Sequence, residues 1–107
     1  MELTQYNIVL VNLDPTKSSE IKKTRPCLII SPDEMNRHLR TVVVAPMTIA
    51  TKKNPTRVAV VHNKRKGAVA IDQVSTIDQS RVIKVLGTIS PKEVKKCKSV
   101  IRETYVD

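Results

Sequence analysis

The feature that most constrains the fold of this chain is a series of short runs rich in valine, isoleucine and other aliphatic residues. These runs stand at 7–13, 27–31, 41–46, 57–61, 68–72 and 83–89, and polar or proline-containing segments separate most of them. β-Branched side chains fit the pleated surface of a sheet, and runs of this length are typical of strands. The pattern therefore predicts a mainly β fold, in which Pro46 ends the third strand and "NKRKG" (63–67) is the turn of a hairpin.

The C-terminal segment has a different periodicity. Residues 90–106 open with a Ser-x-x-Glu capping box, and apolar residues then recur at helical spacing: Val94, Cys97, Ile101 and Tyr105. A second Ser-x-x-Glu motif, at 31–34, predicts another capping box and one or two turns of helix, and 76–81 is a candidate for a further helical turn. Short strands followed by one terminal helix favour a small, partly open antiparallel β-barrel.

Length and charge limit the possible functions. At 107 residues we expect one domain, 1–107, with a core small enough that an oligomeric partner would help. The net charge of +9 indicates a polyanionic partner, although a basic domain without such a partner is the alternative. The sequence shows neither a signal peptide nor a membrane-spanning run, so we expect a cytoplasmic protein with no membrane partner.

The residues most often used as metal ligands or nucleophiles give no such pattern here. Cys27 and Cys97 have no metal-ligand or CxxC spacing, and we interpret both as core residues. His38 and His62 are interpreted as surface or structural residues, and they also lack metal-ligand spacing. We therefore expect no metal and no cofactor.

The order of strands predicts where the polar loops meet. If the first five strands form an antiparallel meander, the 14–25 loop, the 47–56 loop and the Asp72–Gln73 pair share one pole, opposite the 32–40 segment, the hairpin turn and both histidines. The residues that would converge at this pole are Glu20, Arg25, Thr48, Asp72 and Gln73, beside Lys17, Lys22, Lys23, Lys52 and Lys53.

A cationic groove with one acid suits a phosphodiester. The planar fork of Arg25 can bind two phosphate oxygens, and Glu20 among cations would stay ionised and available as a base. A salt-bridged surface loop, with Arg25 paired to Glu20 and nothing bound, is an equally good interpretation of these residues alone.

Five stretches together resemble the MazF/PemK toxins of bacterial toxin–antitoxin pairs: "IVLVNLDP" (8–15), "SEIKKTRPCLIISP" (19–32), "VVVAPMT" (42–48), "DQVSTID" (72–78) and "LGTIS" (86–90). The resemblance implies a compact SH3-like or CcdB-like barrel that acts as a homodimer. It also implies metal-independent, sequence-specific endoribonuclease cleavage of single-stranded RNA. The 2′-hydroxyl would attack its own phosphate, which leaves a 2′,3′-cyclic phosphate and a 5′-hydroxyl.

The resemblance also implies roles for particular residues. Glu20, Arg25 and Thr48 match the family's acid, arginine and threonine, as base, stabiliser of phosphoryl charge and phosphate ligand respectively. The substrate-binding set would be Lys17, Ser19, Lys22, Lys23, Lys52, Lys53, Asp72 and Gln73, although Gln73 could equally brace the loops. An acidic antitoxin protein with a disordered tail would be the inhibitor, which the positive charge of this chain suits.

The chain departs from the family pattern at three positions. Tyr6 and Ser18 stand where the family usually has glycine, and Ala70 stands where some members have an arginine that pairs with the acid of the Asp-Gln motif. Two other functions stay open. One is a nucleic-acid-binding module without catalysis, and the other is a gyrase poison of the CcdB type, which the "ETYVD" terminus disfavours because it has neither the tryptophan nor the penultimate glycine.

Overall fold

The computed structural model describes residues 1–13, 23–49 and 54–106. Within these ranges a seven-stranded sheet and two α-helices confirm a mainly β fold with a C-terminal helix. Short 3₁₀ turns lie at Ile71–Gln73 and Gln79–Arg81. The elements in chain order are β1 Asn7–Asn12, β2 Thr24–Ile29, α1 Asp33–His38, β3 Thr41–Thr48, β4 Arg57–His62, β5 Arg65–Ala70, β6 Ser75–Asp78, β7 Val82–Thr88 and α2 Pro91–Tyr105.

The sheet is antiparallel, in the order β4-β5-β3-β2-β1-β7, and β6 pairs with the first half of β3. The prediction that Pro46 ends the third strand is wrong. Pro46 is the last residue of β3 opposite β2, and Met47 and Thr48 pair with β5 instead. Since proline has no N–H to give to a ladder, it is tolerated where the strand exchanges one neighbour for another. β3 thus joins the two parts of a half-barrel.

The predicted five-strand meander is also wrong, because β3 pairs with β5 and not with β4. β4 is therefore an edge strand that runs in the same direction as β3. The β4–β5 turn is two residues, Asn63 and Lys64, at φ 51° and 63°, which suits a tight hairpin turn; residues 65–67 belong to β5. This hairpin lies beside the end of β3, so His62 is near Thr48 and not at the opposite pole.

Two apolar clusters lie on opposite faces of β1 and β2, because neighbouring residues of a strand point to opposite sides. Ile8 and Leu28 pack with residues of β4, β5 and α2, including Cys97. Val9, Val11 and Cys27 pack with β3, β6 and β7. Both cysteines are free and buried, as predicted for core residues.

The first helix begins differently from the prediction. Pro32 is the N-cap of α1 and no side chain caps it, so the capping box expected at 31–34 is not formed. The Ser31 hydroxyl instead donates to Asn36 Oδ1 at 2.5 Å and accepts from the Val43 N–H at 3.0 Å. Ser31 therefore ties α1 to β3.

Tyr6 has the left-handed conformation, with φ 69°, that glycine adopts most easily. A non-glycine residue in this region costs about 1–3 kcal/mol. The backbone of Tyr6 is fixed by its N–H to Ile29 O at 2.8 Å and by the Thr88 hydroxyl, which donates to Tyr6 O at 3.1 Å. Its side chain is buried in the core, which offsets part of the cost.

The predicted capping box of α2 is confirmed, and its glutamate has a second contact. Glu93 Oε1 accepts from the Ser90 N–H at 2.9 Å, and Oε2 accepts from the Val61 N–H of edge strand β4 at 2.8 Å. Partial burial raises the pKa of Glu93, but the backbone donors of Ser90 and Val61, with the Ser90 hydroxyl, outweigh burial and hold it below its usual value. In the described ranges, no helix is both long and apolar enough to cross a membrane.

We expect Glu93→Ala to lower the free energy of unfolding by about 1–2 kcal/mol, because it leaves two backbone N–H groups without their acceptor. Urea denaturation monitored by circular dichroism measures the change. Glu103→Ala, an exposed position on the same helix, is the control and should change the value by less than about 0.5 kcal/mol.

The same contact predicts a pH dependence. Because the pKa of Glu93 is lower in the folded state, its stabilisation is present above the unfolded pKa, about 4.3, and is lost as the pH falls through the folded pKa. The stability difference between wild type and Glu93→Gln should therefore shrink on acidification. A difference that stays constant from neutral pH to well below pH 4 would contradict this role.

Candidate functional site

Five of the predicted site residues lie in the described ranges, and six lie outside them. Arg25 lies on β2, Lys23 directly before it, Thr48 at the end of β3, and Asp72 and Gln73 in the 3₁₀ turn after β5. The remaining predicted residues lie outside the described residues: Lys17, Ser19, Glu20, Lys22, Lys52 and Lys53.

Arg25 and Gln73 line one cavity of about 180 Å³, together with Ser75 and Arg81. We call this the arginine cavity. The rest of the lining within the described ranges is apolar or Cys27, and none of these described residues carries a carboxylate. Two guanidinium groups, an amide and a hydroxyl beside one small space form a set of donors suited to an anion.

Both arginines lie close enough to Cys27 to influence the pKa of its thiol. Burial raises the pKa of this thiol to about 11, while the positive charges of Arg25 and Arg81 oppose the rise. At neutral pH the thiol is therefore protonated and is a poor nucleophile. Among the described residues, neither arginine forms an ion pair.

Arg81 is a site residue that sequence reasoning missed. The antiparallel pairing of Val11 with Val82 places it beside the end of β1, where its Nε donates to Asn12 O at 3.0 Å. No local pattern indicates this position, because residues 76–81 are predicted as a helical turn, whereas 75–78 form β6 and only 79–81 form a 3₁₀ turn.

Thr48 lines a different and larger cavity of about 560 Å³, which we call the hairpin cleft. This cleft lies between the β4–β5 hairpin and residues of β1, β2 and β7. Cys27 of β2 lies opposite Pro46 of β3 in the antiparallel ladder. Arg25, two residues before Cys27, and Thr48, two residues after Pro46, are therefore at the same end of the β2–β3 pair. They nevertheless line separate cavities, whereas Pro26, next to Arg25, lines the cleft with Thr48.

The Asp72 carboxylate accepts hydrogen bonds from two side chains near the start of β4. Arg57 Nη1 donates to Asp72 Oδ1 at 2.6 Å, and the Thr56 hydroxyl donates to the same oxygen at 3.0 Å. Arg57 is directly opposite Ala70 on the neighbouring strand, so β4 supplies an arginine for the acid although position 70 has none. The pair fixes the start of β4 against the turn that carries Gln73.

The histidines have different surroundings. His38 is exposed on α1, with Nε2 3.2 Å from Glu34 Oε1. His62 is partly buried and lines the hairpin cleft. Across the part of the chain that the structure describes, no three His, Cys, Asp or Glu side chains are grouped to hold a metal ion.

The family model that describes the "PemK-like, MazF-like toxin of type II toxin-antitoxin system" matches residues 4–105. The chain is 32% identical over 101 residues to "Endoribonuclease MazF" of Staphylococcus saprophyticus. The alignment covers 89% of this chain and 84% of that protein. It is 31% identical over 96 residues to "Endoribonuclease toxin MazF" of Escherichia coli, with 89% and 86% covered.

Solved structures give the same fold. An endoribonuclease in complex with its cognate antitoxin from a mycobacterial species superposes with a TM-score of 0.81 at 22% identity, covering 94% of this chain and 92% of that chain. A MazE–MazF structure from Deinococcus radiodurans also gives 0.81, at 21% identity, with 96% and 95% covered. With a family model that spans nearly the whole chain, this protein belongs to the PemK-like, MazF-like toxins of type II toxin–antitoxin systems.

Proposed function

We propose that this chain is a metal-independent, sequence-specific endoribonuclease that cleaves single-stranded RNA by attack of the 2′-hydroxyl on the adjacent phosphate. The products are a 2′,3′-cyclic phosphate and a 5′-hydroxyl. The observation that carries the proposal is the arginine cavity, in which Arg25, Arg81, Gln73 and Ser75 surround a small space, and none of the described residues that line it carries a carboxylate. Its relatives named above are endoribonucleases.

The chemistry follows from the donors. A phosphate in the arginine cavity is bound by the fork of Arg25, which can stabilise the charge that develops on the phosphoryl oxygens. Arg81 adds a second positive charge, and Gln73 and Ser75 offer neutral hydrogen bonds. Thr48 is positioned at the neighbouring cleft to hold a further oxygen, and Glu20 is the proposed base for the 2′-hydroxyl, worth typically about 10²–10⁴-fold.

Partners follow from charge and exposed apolar surface. The net charge of +9 suits an acidic antitoxin, and the mycobacterial neighbour was solved with its cognate antitoxin. A homodimer acting in the cytoplasm completes the proposal. Exposed apolar side chains on α1 and at its C-cap, Met35 and Leu39, and at the end of α2, Tyr105 and Val106, are candidates for its interface.

The test is incubation of the purified protein with a long mixed-sequence RNA in EDTA, beside a DNA of equal sequence. We expect discrete RNA fragments with cyclic phosphate and 5′-hydroxyl ends, and intact DNA, because only RNA has the nucleophile. Fragmentation of both nucleic acids, or a requirement for added metal, would contradict the proposed chemistry. Intact RNA that binds in a salt-sensitive way would identify a binding module without catalysis.

A further inference from the structure

The hairpin cleft is the larger of the two cavities described above, and the proposed chemistry uses only Thr48 of it. Its volume, about 560 Å³, is within the range of roughly 300–1,000 Å³ of small-ligand sites. One wall is the sheet and the other is the β4–β5 hairpin. The apolar side chains along it are Ile8, Pro26, Met47, Ile49 and Leu86.

The formally charged side chains among the described residues of the cleft are both positive. Arg65 and Lys66, both exposed, lie on the hairpin side, and none of the described residues that line the cleft is acidic. Neither cation forms an ion pair with any described residue. An anion approaching this rim would therefore meet positive charge that the described acids do not neutralise.

One polar atom in the cleft lacks a partner. His62 Nε2 is buried and has no hydrogen-bond partner among the described residues. Buried polar atoms are nearly always satisfied, so an orphan in a ligand-sized cleft points to a ligand that would satisfy it. The imidazole lies against Gly87, where an added Cβ would come within 2.6 Å of His62 Cε1. The absence of a side chain at Gly87 is what leaves room for the ring.

We infer that the hairpin cleft binds one nucleotide of the single-stranded RNA, next to the phosphate held at Arg25. The base enters between the apolar wall and the His62 imidazole, and Nε2 hydrogen-bonds an edge of the base. Arg65 and Lys66 contact the adjoining phosphate. Thr48 and Pro26 connect the cleft to the Arg25 end of β2, and this gives the RNA strand a continuous path between the two cavities. The identity of the ligand as RNA rests on the proposed function.

This site supplies what the composition lacks. Proteins that read single-stranded RNA commonly stack its bases on aromatic side chains or arginine planes. This chain has no Phe or Trp, and its two tyrosines, Tyr6 and Tyr105, do not line either cavity described above. In the hairpin cleft the guanidinium of Arg65 is a planar group on which a base can stack, while the His62 imidazole meets the edge of the base through Nε2.

The experiment uses RNA whose 2′-hydroxyls are methylated, which binds but has no nucleophile and is not cleaved. The chain has only two histidines, so the imidazole signals of an NMR spectrum are assigned with one variant. We expect added RNA to shift the His62 signals and to leave those of His38, on α1, in place.

A second measurement tests the two cations at the rim. The log–log salt dependence of RNA binding should become shallower by about 1.4 in the double variant Arg65→Ala/Lys66→Ala, at roughly 0.7 for each phosphate charge that the variant no longer neutralises. Lys95→Ala/Lys98→Ala, two exposed lysines on α2, removes the same charge and should leave the slope unchanged.

Each other outcome overturns the assignment. RNA that binds without moving the His62 signals, and with equal slopes for both double variants, binds elsewhere. His62 signals that move with an acidic peptide and not with RNA assign the cleft to a protein partner, and signals that move on dilution of the protein alone assign it to a second copy. Cleavage of unmodified RNA is scored separately, so RNA in the cleft without cleavage refutes the proposed function alone, and cleavage without occupancy of the cleft refutes this inference alone.

Discussion

Arg25→Ala is expected to lower the rate of RNA cleavage by about 10²–10³-fold, the loss typical of removing one preorganised donor to a developing oxyanion. Arg25→Lys should restore only part of the rate, because an ammonium group keeps the charge but cannot bind two phosphate oxygens in the plane of a fork. Single-turnover rates at saturating protein measure the chemical step separately from binding.

The matched control for this prediction is Arg37→Ala. Arg37 lies on α1, forms an exposed ion pair with Glu34, and lines neither cavity described above, so its removal should leave the rate unchanged. Circular dichroism and thermal melting establish that each variant is folded. Wild-type cleavage by folded Arg25→Ala protein would show that the arginine cavity is not where the phosphate reacts.

Leu28→Ala is expected to lower the free energy of unfolding by about 2–5 kcal/mol, because it removes a fully buried side chain and leaves a cavity. For a domain of this size that corresponds to a fall of roughly 8–40 °C in Tm, at about 4–8 °C per kcal/mol. Leu28 is on β2, three residues after Arg25, so the same strand carries the core contact and the proposed phosphate ligand.

Leu39→Ala provides the comparison, since it is the same substitution at a side chain that is 48% exposed. Its effect should be a fraction of that of Leu28→Ala. Chemical denaturation of both variants gives the two values. Equal losses of stability would mean that Leu28 does not pack as the structure has it, or that Leu39 is buried in an assembly such as the proposed dimer.

Local sequence signals predicted the elements where one physical effect dominated. The capping box of α2 formed as expected, because the Ser90 and Glu93 side chains satisfy backbone donors within the same turn. The Ser-x-x-Glu motif at 31–34 did not, since Ser31 has better partners in Asn36 and Val43. A local motif cannot show whether a distant strand will supply a stronger contact.

The composition and motifs by themselves determined that the chain is a basic, mainly β domain with a terminal helix, and that Arg25, Thr48 and the Asp-Gln pair are candidate site residues. Only the tertiary structure decided which of them meet. Pairing of β3 with β5 brought His62 beside Thr48, and β1–β7 pairing brought Arg81 to Arg25. Cross-strand pairing also gave Asp72 an arginine from position 57. Strand order depends on how both faces of the whole sheet bury their apolar side chains, and a local stretch of sequence does not contain that information.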